Sequence, residues 1–163
     1  MNFPRILKKR KGYIDRIKPF MQKSVAKVLT GQRRVGKSFL LYQLIEEILG
    51  EEPDANIIYI NLEDFAFSSL QTAEDLHSYI ISHSKEKVKN YIFIDEIQDI
   101  PGFEKVIRSL LLNEDNDIYI TGSNAKMLSG ELATYLSGRY IEFKIYSLCL
   151  LYTSPSPRDG LLS

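Results

Sequence analysis

Apolar residues in this chain come in short runs separated by polar, glycine-containing stretches, and the runs alternate between two spacings. Residues 25–30 (VAKVLT), 57–62 (IIYINL), 91–94 (YIFI), 118–121 (IYIT) and 140–145 (YIEFKI) are compact and rich in β-branched or aromatic side chains, which predicts five strands. Between them the spacing turns helical. Phe39, Leu40, Leu41, Leu44, Ile45 and Ile48 share a face across 38–49, with Gly50 as the expected stop. Leu76, Tyr79 and Ile80 do so across 72–82, and Phe103, Val106, Ile107, Leu110 and Leu111 across 103–112; a further helix is expected over 126–136.

YIFI and IYIT are apolar on successive residues, not on alternate ones, as in parallel strands covered on both faces. Strands alternating with helices predict a doubly wound α/β sheet, which binds ligands at the carboxyl ends of its strands. The polar motifs of the chain fall at those ends.

The first strand runs into "TGQRRVGKSF", a G-x-x-x-x-G-K-S loop followed by a helix. Glycines let backbone amides approach phosphate oxygens without obstruction, the lysine reaches terminal phosphates and the hydroxyl can hold magnesium. Gly31, Gln32, Arg33, Arg34, Val35, Gly36, Lys37, Ser38 and Phe39 therefore form the candidate nucleotide-binding stretch. Arg33 and Arg34 occupy variable positions, either solvated or adding charge beside the nucleotide.

A phosphate loop alone does not prescribe hydrolysis, and small-molecule kinases carry one too. The third strand ends in Asp95-Glu96, where Asp95 can hold a magnesium shell with Ser38 and Glu96 can orient or deprotonate a water molecule. The competing reading is an acidic pair capping the turn that follows. Ser123 and Asn124, after the fourth strand, can reach a terminal phosphate or the water, although T-G-S-N is also ordinary turn chemistry. Arg139 precedes the fifth strand; it can neutralise transition-state charge in a neighbouring subunit, or pair with a surface acid. His77 and His83 are six residues apart, do not share a helix face at metal spacing, and read as surface residues.

Composition changes this picture in three places. With 44% hydrophobic and 26% charged residues the chain is of globular type, and its apolar runs are too short for a bilayer. No charged-then-apolar leader opens it, so a cytoplasmic protein without membrane association is expected. The zero net charge hides a basic segment: residues 1–24 hold eight Lys/Arg against Asp15 alone. That segment, residues 5–23 in particular, is a candidate nucleic-acid contact or simply a solvated terminus. Finally, "CLLYTSPSPRD", residues 149–159, resembles the conceptual translation of a sequencing adapter, so 149–163 is expected to be a non-native tail. The one cysteine, Cys149, lies within it.

Taken together, GQRRVGKS, IYINLEDF, YIFIDEIQDI, IYITGSNAKMLS and LSGRYIEFKIY resemble the AAA-type P-loop ATPases of bacteria and archaea that carry a C-terminal domain of unknown function after the ATPase core. The resemblance covers nearly all of residues 10–148. It implies an AAA+-like parallel sheet of strand order 5-1-4-3-2 flanked by helices, with the chain cut before the family's helical lid. It implies ATP and Mg2+ as ligands, Walker A residues Gly36, Lys37 and Ser38, Walker B residues Asp95 and Glu96, a sensor at Ser123 or Asn124, and a finger arginine at Arg139. It also places the Tyr13 region near the adenine. The domain expectation is a basic segment over 1–24, an ATPase core over 25–148 and the tail.

Four functions fit these residues: an ATPase coupled to an unknown protein partner, a nucleotide-dependent switch that hydrolyses little, a nucleic-acid-associated ATPase using the basic segment, and a P-loop small-molecule kinase. Asp95-Glu96 favours the first. If Arg139 acts in trans, the protein works as an oligomer.

Overall fold

The computed structural model describes residues 11–123 and 130–146; Arg5 and the other basic residues before position 11, Asn124, residues 126–129 of the last expected helix and the 149–163 tail lie outside them. The described strands are β1 (Ala26–Thr30), β2 (Asn56–Asn61), β3 (Asn90–Asp95), β4 (Asn116–Gly122) and β5 (Tyr140–Lys144). The helices are α1 (Lys11–Ile17), α2 (Lys37–Glu51), α3 (Ala73–His83), α4 (Phe103–Leu110) and α5 (Gly130–Leu136).

All five strands join one sheet in the order β2-β3-β4-β1-β5, and every pairing is parallel. This is the 5-1-4-3-2 order expected from the motifs. The carboxyl ends of the strands therefore collect at one edge, with Gly31, Glu96 and Ser123 immediately beyond three of them.

Side-chain alternation explains why successive residues are apolar. Ile92 and Ile94 of β3, with Ile58, Ile60, Ile118, Ile120 and Val28, form one buried face with Leu76 and Ile80 of α3, Val106, Ile107 and Leu110 of α4, and Leu132 and Leu136 of α5. Tyr91 and Phe93, with Leu29, Tyr119 and Phe143, form the other face against Leu40, Leu41, Leu44, Ile45 and Ile48 of α2. Each fully buried side chain of this kind stabilises the fold by about 1.5–3 kcal/mol relative to exposure. Across the second face Phe93 and Tyr119 stack with centroids 4.5 Å apart.

Local signals set the boundaries, and three expectations need correction. Helix α2 does not stop at Gly50; it continues to Glu51, and Glu52 closes it with its amide on the Ile48 carbonyl. Gly50 takes no left-handed conformation and a side chain there would meet nothing within 4 Å, so it neither terminates the helix nor is required by packing. The segment before β1 is also more than a solvated arm. Helix α1 turns Tyr13, Ile14 and Ile17 to one side, and all three join the core beside α2. At α3, Thr72 is the N-cap, not the first helical residue, in a reciprocal capping box with Asp75. Its two backbone contacts and the Thr72 hydroxyl hold the Asp75 carboxyl below the usual carboxylate range.

Candidate functional site

The loop between β1 and α2 is built by close approach. The Ile145 amide donates to the Thr30 carbonyl at 2.7 Å, which carries the chain after β5 over Gly31. A Cβ added at Gly31 would stand 2.5 Å from the Ile145 carbonyl oxygen and 3.0 Å from a Val35 methyl, so only glycine fits. Gly36 has φ 94° and caps α2, a conformation that side-chain-bearing residues rarely adopt. Arg34 also has a positive φ, 65°. Gln32, Arg33 and Arg34 are exposed at the loop tip, and Arg33 faces Glu63 at 3.9 Å, both largely in solvent. Val35 and Phe39 are half-buried at the two sides of the turn.

Lys37 opens α2 and is buried, its Nζ donating to the Gly31 carbonyl at 2.6 Å and the Gln32 carbonyl at 2.9 Å. Burial lowers its proton affinity below that of an ordinary lysine, against the opposing attraction of Glu96 and Asp95. The ammonium thus closes the loop on itself, within the field of the acids ending β3.

The next residue reaches across the sheet. The Ser38 hydroxyl donates to Oδ2 of Asp95. On the other carboxylate oxygen, the Thr121 hydroxyl donates to Oδ1 at 2.5 Å. That same Thr121 oxygen accepts the Glu96 amide at 3.0 Å. Tyr59 of β2 adds a long contact of 3.5 Å to Oδ2, and bonds Tyr42 of α2 at 3.1 Å. Four elements therefore meet on one carboxylate that is 1% exposed.

Glu96 leaves β3 in the left-handed region, φ 60° and ψ 49°, and its buried carboxylate accepts from Gln98 Nε2 at 2.5 Å. The sequence reading thus placed Gly31, Gly36, Lys37, Ser38, Asp95 and Glu96 together, and they are together. Ser123 lies half-buried just past β4. Thr121, Tyr59 and Gln98 were missed. The one signal for Thr121 was a hydroxyl at the end of an otherwise apolar run.

Arg139 is not part of this cluster. It follows a turn at Gly138 and its carbonyl accepts the Ala26 amide at 3.0 Å, at the amino ends of β1 and β5. A five-residue parallel strand separates it from the loop, about 13 Å along β1. His77 and His83 lie on α3, away from these residues.

The donor set suits a hard cation. A serine hydroxyl and one carboxylate are oxygen ligands of the kind magnesium takes, with phosphate and water completing its shell. Among the described residues no group of three or more His, Cys, Asp or Glu could hold a metal ion by itself, and a cation shared with phosphate oxygens does not need one.

The model of the AAA domain family matches residues 23–151. The chain belongs to that family. Nucleotide binding and ATP hydrolysis are the general chemistry of AAA domains. A Haemophilus influenzae protein described as uncharacterized is 43% identical over 144 residues, covering 85% of this chain and 35% of that protein. A second uncharacterized protein, from Methanocaldococcus jannaschii, is 37% identical and covers 75% of this chain and 26% of its own length. The chain thus spans roughly a third or less of these relatives. Among solved structures, C. elegans PCH-2 superposes with a TM-score of 0.53 at 17% identity, over 83% of this chain and 38% of that one. Saccharomyces cerevisiae RIF2 gives 0.52 at 14% identity, over 94% and 67%. At such identities the likeness is one of fold. Among the described residues of this AAA domain, no helix is long and apolar enough to cross a membrane.

Proposed function

We propose that residues 25–148 are the ATP-binding, magnesium-dependent ATP-hydrolysing core of a larger cytoplasmic AAA-type protein, whose turnover drives a protein partner. The observation that supports this reading best is the convergence on Asp95: Ser38, after the loop lysine, and Thr121, near the end of β4, both bond the carboxylate ending β3.

In this reading the amides of Gly31 to Phe39 and the amino end of α2 cradle the phosphates of ATP. Lys37 exchanges its two loop carbonyls for phosphate oxygens, which return to its buried charge the partner it is short of. Ser38 and Asp95 are the residues that would hold Mg2+, which when bound supplies charge neutralisation to the phosphates. Glu96, fixed at its amide by Thr121, orients and deprotonates the attacking water. Ser123 follows β4 at the same edge, and Ser123 and Asn124 are the candidate sensors of the terminal phosphate. Arg139, at the opposite edge, serves the site of a neighbouring copy.

The test is ATP binding and hydrolysis by the complete protein. Lys37→Ala should abolish binding, and Glu96→Gln should preserve binding while lowering kcat by roughly 10²–10⁴-fold. Undiminished turnover in Glu96→Gln removes that residue from the role.

A further inference from the structure

Glu96 is held both at its backbone and at its carboxylate. Its amide is pinned by Thr121 at 3.0 Å, which fixes where the left-handed turn leaves β3. Its carboxylate is met by Gln98, two residues on in the short 3-10 turn Ile97–Asp99, whose Nε2 lies 2.5 Å from Oε2. The direction of that amide is dictated by chemistry. A carboxylate only accepts, so the NH2 end of Gln98 must face it and the carbonyl end must point away. That carbonyl oxygen, Oε1, is buried and has no hydrogen-bond partner among the described residues. Gln98 is itself only half-buried, so an outward rotamer could hydrate both ends of the amide. The amide instead keeps one end on Glu96 and buries the other without a protein partner, a desolvation cost that the carboxylate contact must outweigh.

We propose that Gln98 is a positioning residue for ATP hydrolysis, fixing the carboxylate of Glu96 at the orientation in which it meets the attacking water. The inference rests on the hydrolytic reading above and adds to it the group that preorganises the base. The hydroxyl of Thr121 sets the backbone, the amide of Gln98 sets the side chain, and Glu96 keeps its remaining lone pairs for water. Because Gln98 acts through Glu96, its contribution falls on the chemical step and not on ATP affinity.

The experiment measures steady-state hydrolysis, and affinity for a fluorescent ATP analogue, in the complete protein. Gln98→Met keeps the volume and removes the donor; Gln98→Asn keeps the amide but withdraws it by one methylene. Both should lower kcat about 10–100-fold, the scale of a misplaced catalytic group, with nucleotide affinity unchanged. In a Glu96→Gln background Gln98→Met should add no further loss, because there is no base left to position. Three results overturn the inference: unchanged kcat in both variants, a loss of nucleotide affinity parallel to kcat, or the same fold-loss with and without Glu96. A protein that binds ATP but does not turn it over, with every residue intact, overturns the hydrolytic reading and the role of Gln98 with it. That outcome is separate from normal turnover that ignores Gln98.

Discussion

Thr121 donates its hydroxyl to Oδ1 of Asp95 at 2.5 Å, tying the carboxyl end of β4 to that of β3. Because the same oxygen accepts the Glu96 amide, one buried hydroxyl ties the Asp95 carboxylate to the backbone of Glu96. Thr121→Val keeps the shape and removes both bonds, leaving a buried amide and a carboxylate oxygen short of partners. We expect a stability loss of about 1–3 kcal/mol in urea unfolding. Turnover should fall more than ATP affinity, since the acids move relative to each other. An unperturbed kcat would show that the separation of the acids does not depend on this hydroxyl.

What the sequence made legible follows from the range of the contacts. Gly31, Lys37 and Ser38 belong to one eight-residue loop, and Asp95-Glu96 ends a conspicuous apolar run; each is a local pattern with local physics. The sheet order followed from the motifs' resemblance to a family. Thr121, Tyr59 and Gln98 were missed for different reasons. Thr121 and Tyr59 act on Asp95 from 26 and 36 residues away, through a strand order that no local pattern states. Gln98 is close in sequence, but its contact depends on the left-handed turn at Glu96, which a non-glycine residue does not advertise. The burial of α1 was likewise hidden, because charge dominates that segment while three spaced side chains decide where it packs.

Gly31 has no room for a side chain. Gly31→Ala would drive a methyl into the Ile145 carbonyl, a backbone atom that is itself anchored through its residue's amide on Thr30. The loop or the exit of β5 must shift, at roughly 1–3 kcal/mol of strain. Thermal unfolding should register the loss, and ATP affinity should drop because the displaced loop amides no longer converge. Wild-type affinity together with a wild-type melting temperature would sink this account of the loop.

Lys27 and Asp117 form an ion pair with both side chains fully buried, on the sheet edge opposite the phosphate loop. The Lys27 ammonium also donates to the Lys23 carbonyl at 3.0 Å, while Asp117 accepts from the Gln22 amide at 2.9 Å and from the Tyr119 hydroxyl at 2.7 Å. Burial holds Lys27 below the ordinary lysine value even with Asp117 beside it. Lys27→Met leaves an uncompensated buried carboxylate and should cost about 3–5 kcal/mol. Adding Asp117→Asn removes that charge and should recover part of the loss. A single variant as stable as the parent would mean that water reaches the pair.

The phenols give a signed pH dependence. Burial, and then the Asp117 charge, pushes Tyr119 well above the ordinary tyrosine value. Tyr59 and Tyr91 are raised in the same direction, again chiefly by burial. With the folded value above the unfolded one, their contribution is complete below about pH 10 and is lost as pH rises beyond it. Lys27 and Lys37, lowered by burial, act in the opposite sense up to their unfolded value of 10.5. The informative comparison is therefore Tyr119→Phe against the parent, by urea unfolding between about pH 8 and 11. The variant should lose up to about 1.4 kcal/mol per pH unit of alkaline slope. Identical slopes would place the Tyr119 hydroxyl in contact with solvent.

Arg139 offers the sharpest distinction between one chain and several. It sits at the amino end of the sheet, a strand's length from Lys37, so its guanidinium does not serve its own phosphate loop. If it completes a neighbour's site, Arg139→Ala should reduce kcat by roughly 10³-fold while binding ATP normally. Mixing that variant with Lys37→Ala should restore turnover, because the second protein supplies an arginine to the intact loop of the first. Activity should also climb with protein concentration in the unsubstituted protein. An Arg139→Ala protein as active as the parent would reduce Arg139 to a surface charge at the base of β5, and a mixture as slow as its two impaired components would exclude supply in trans.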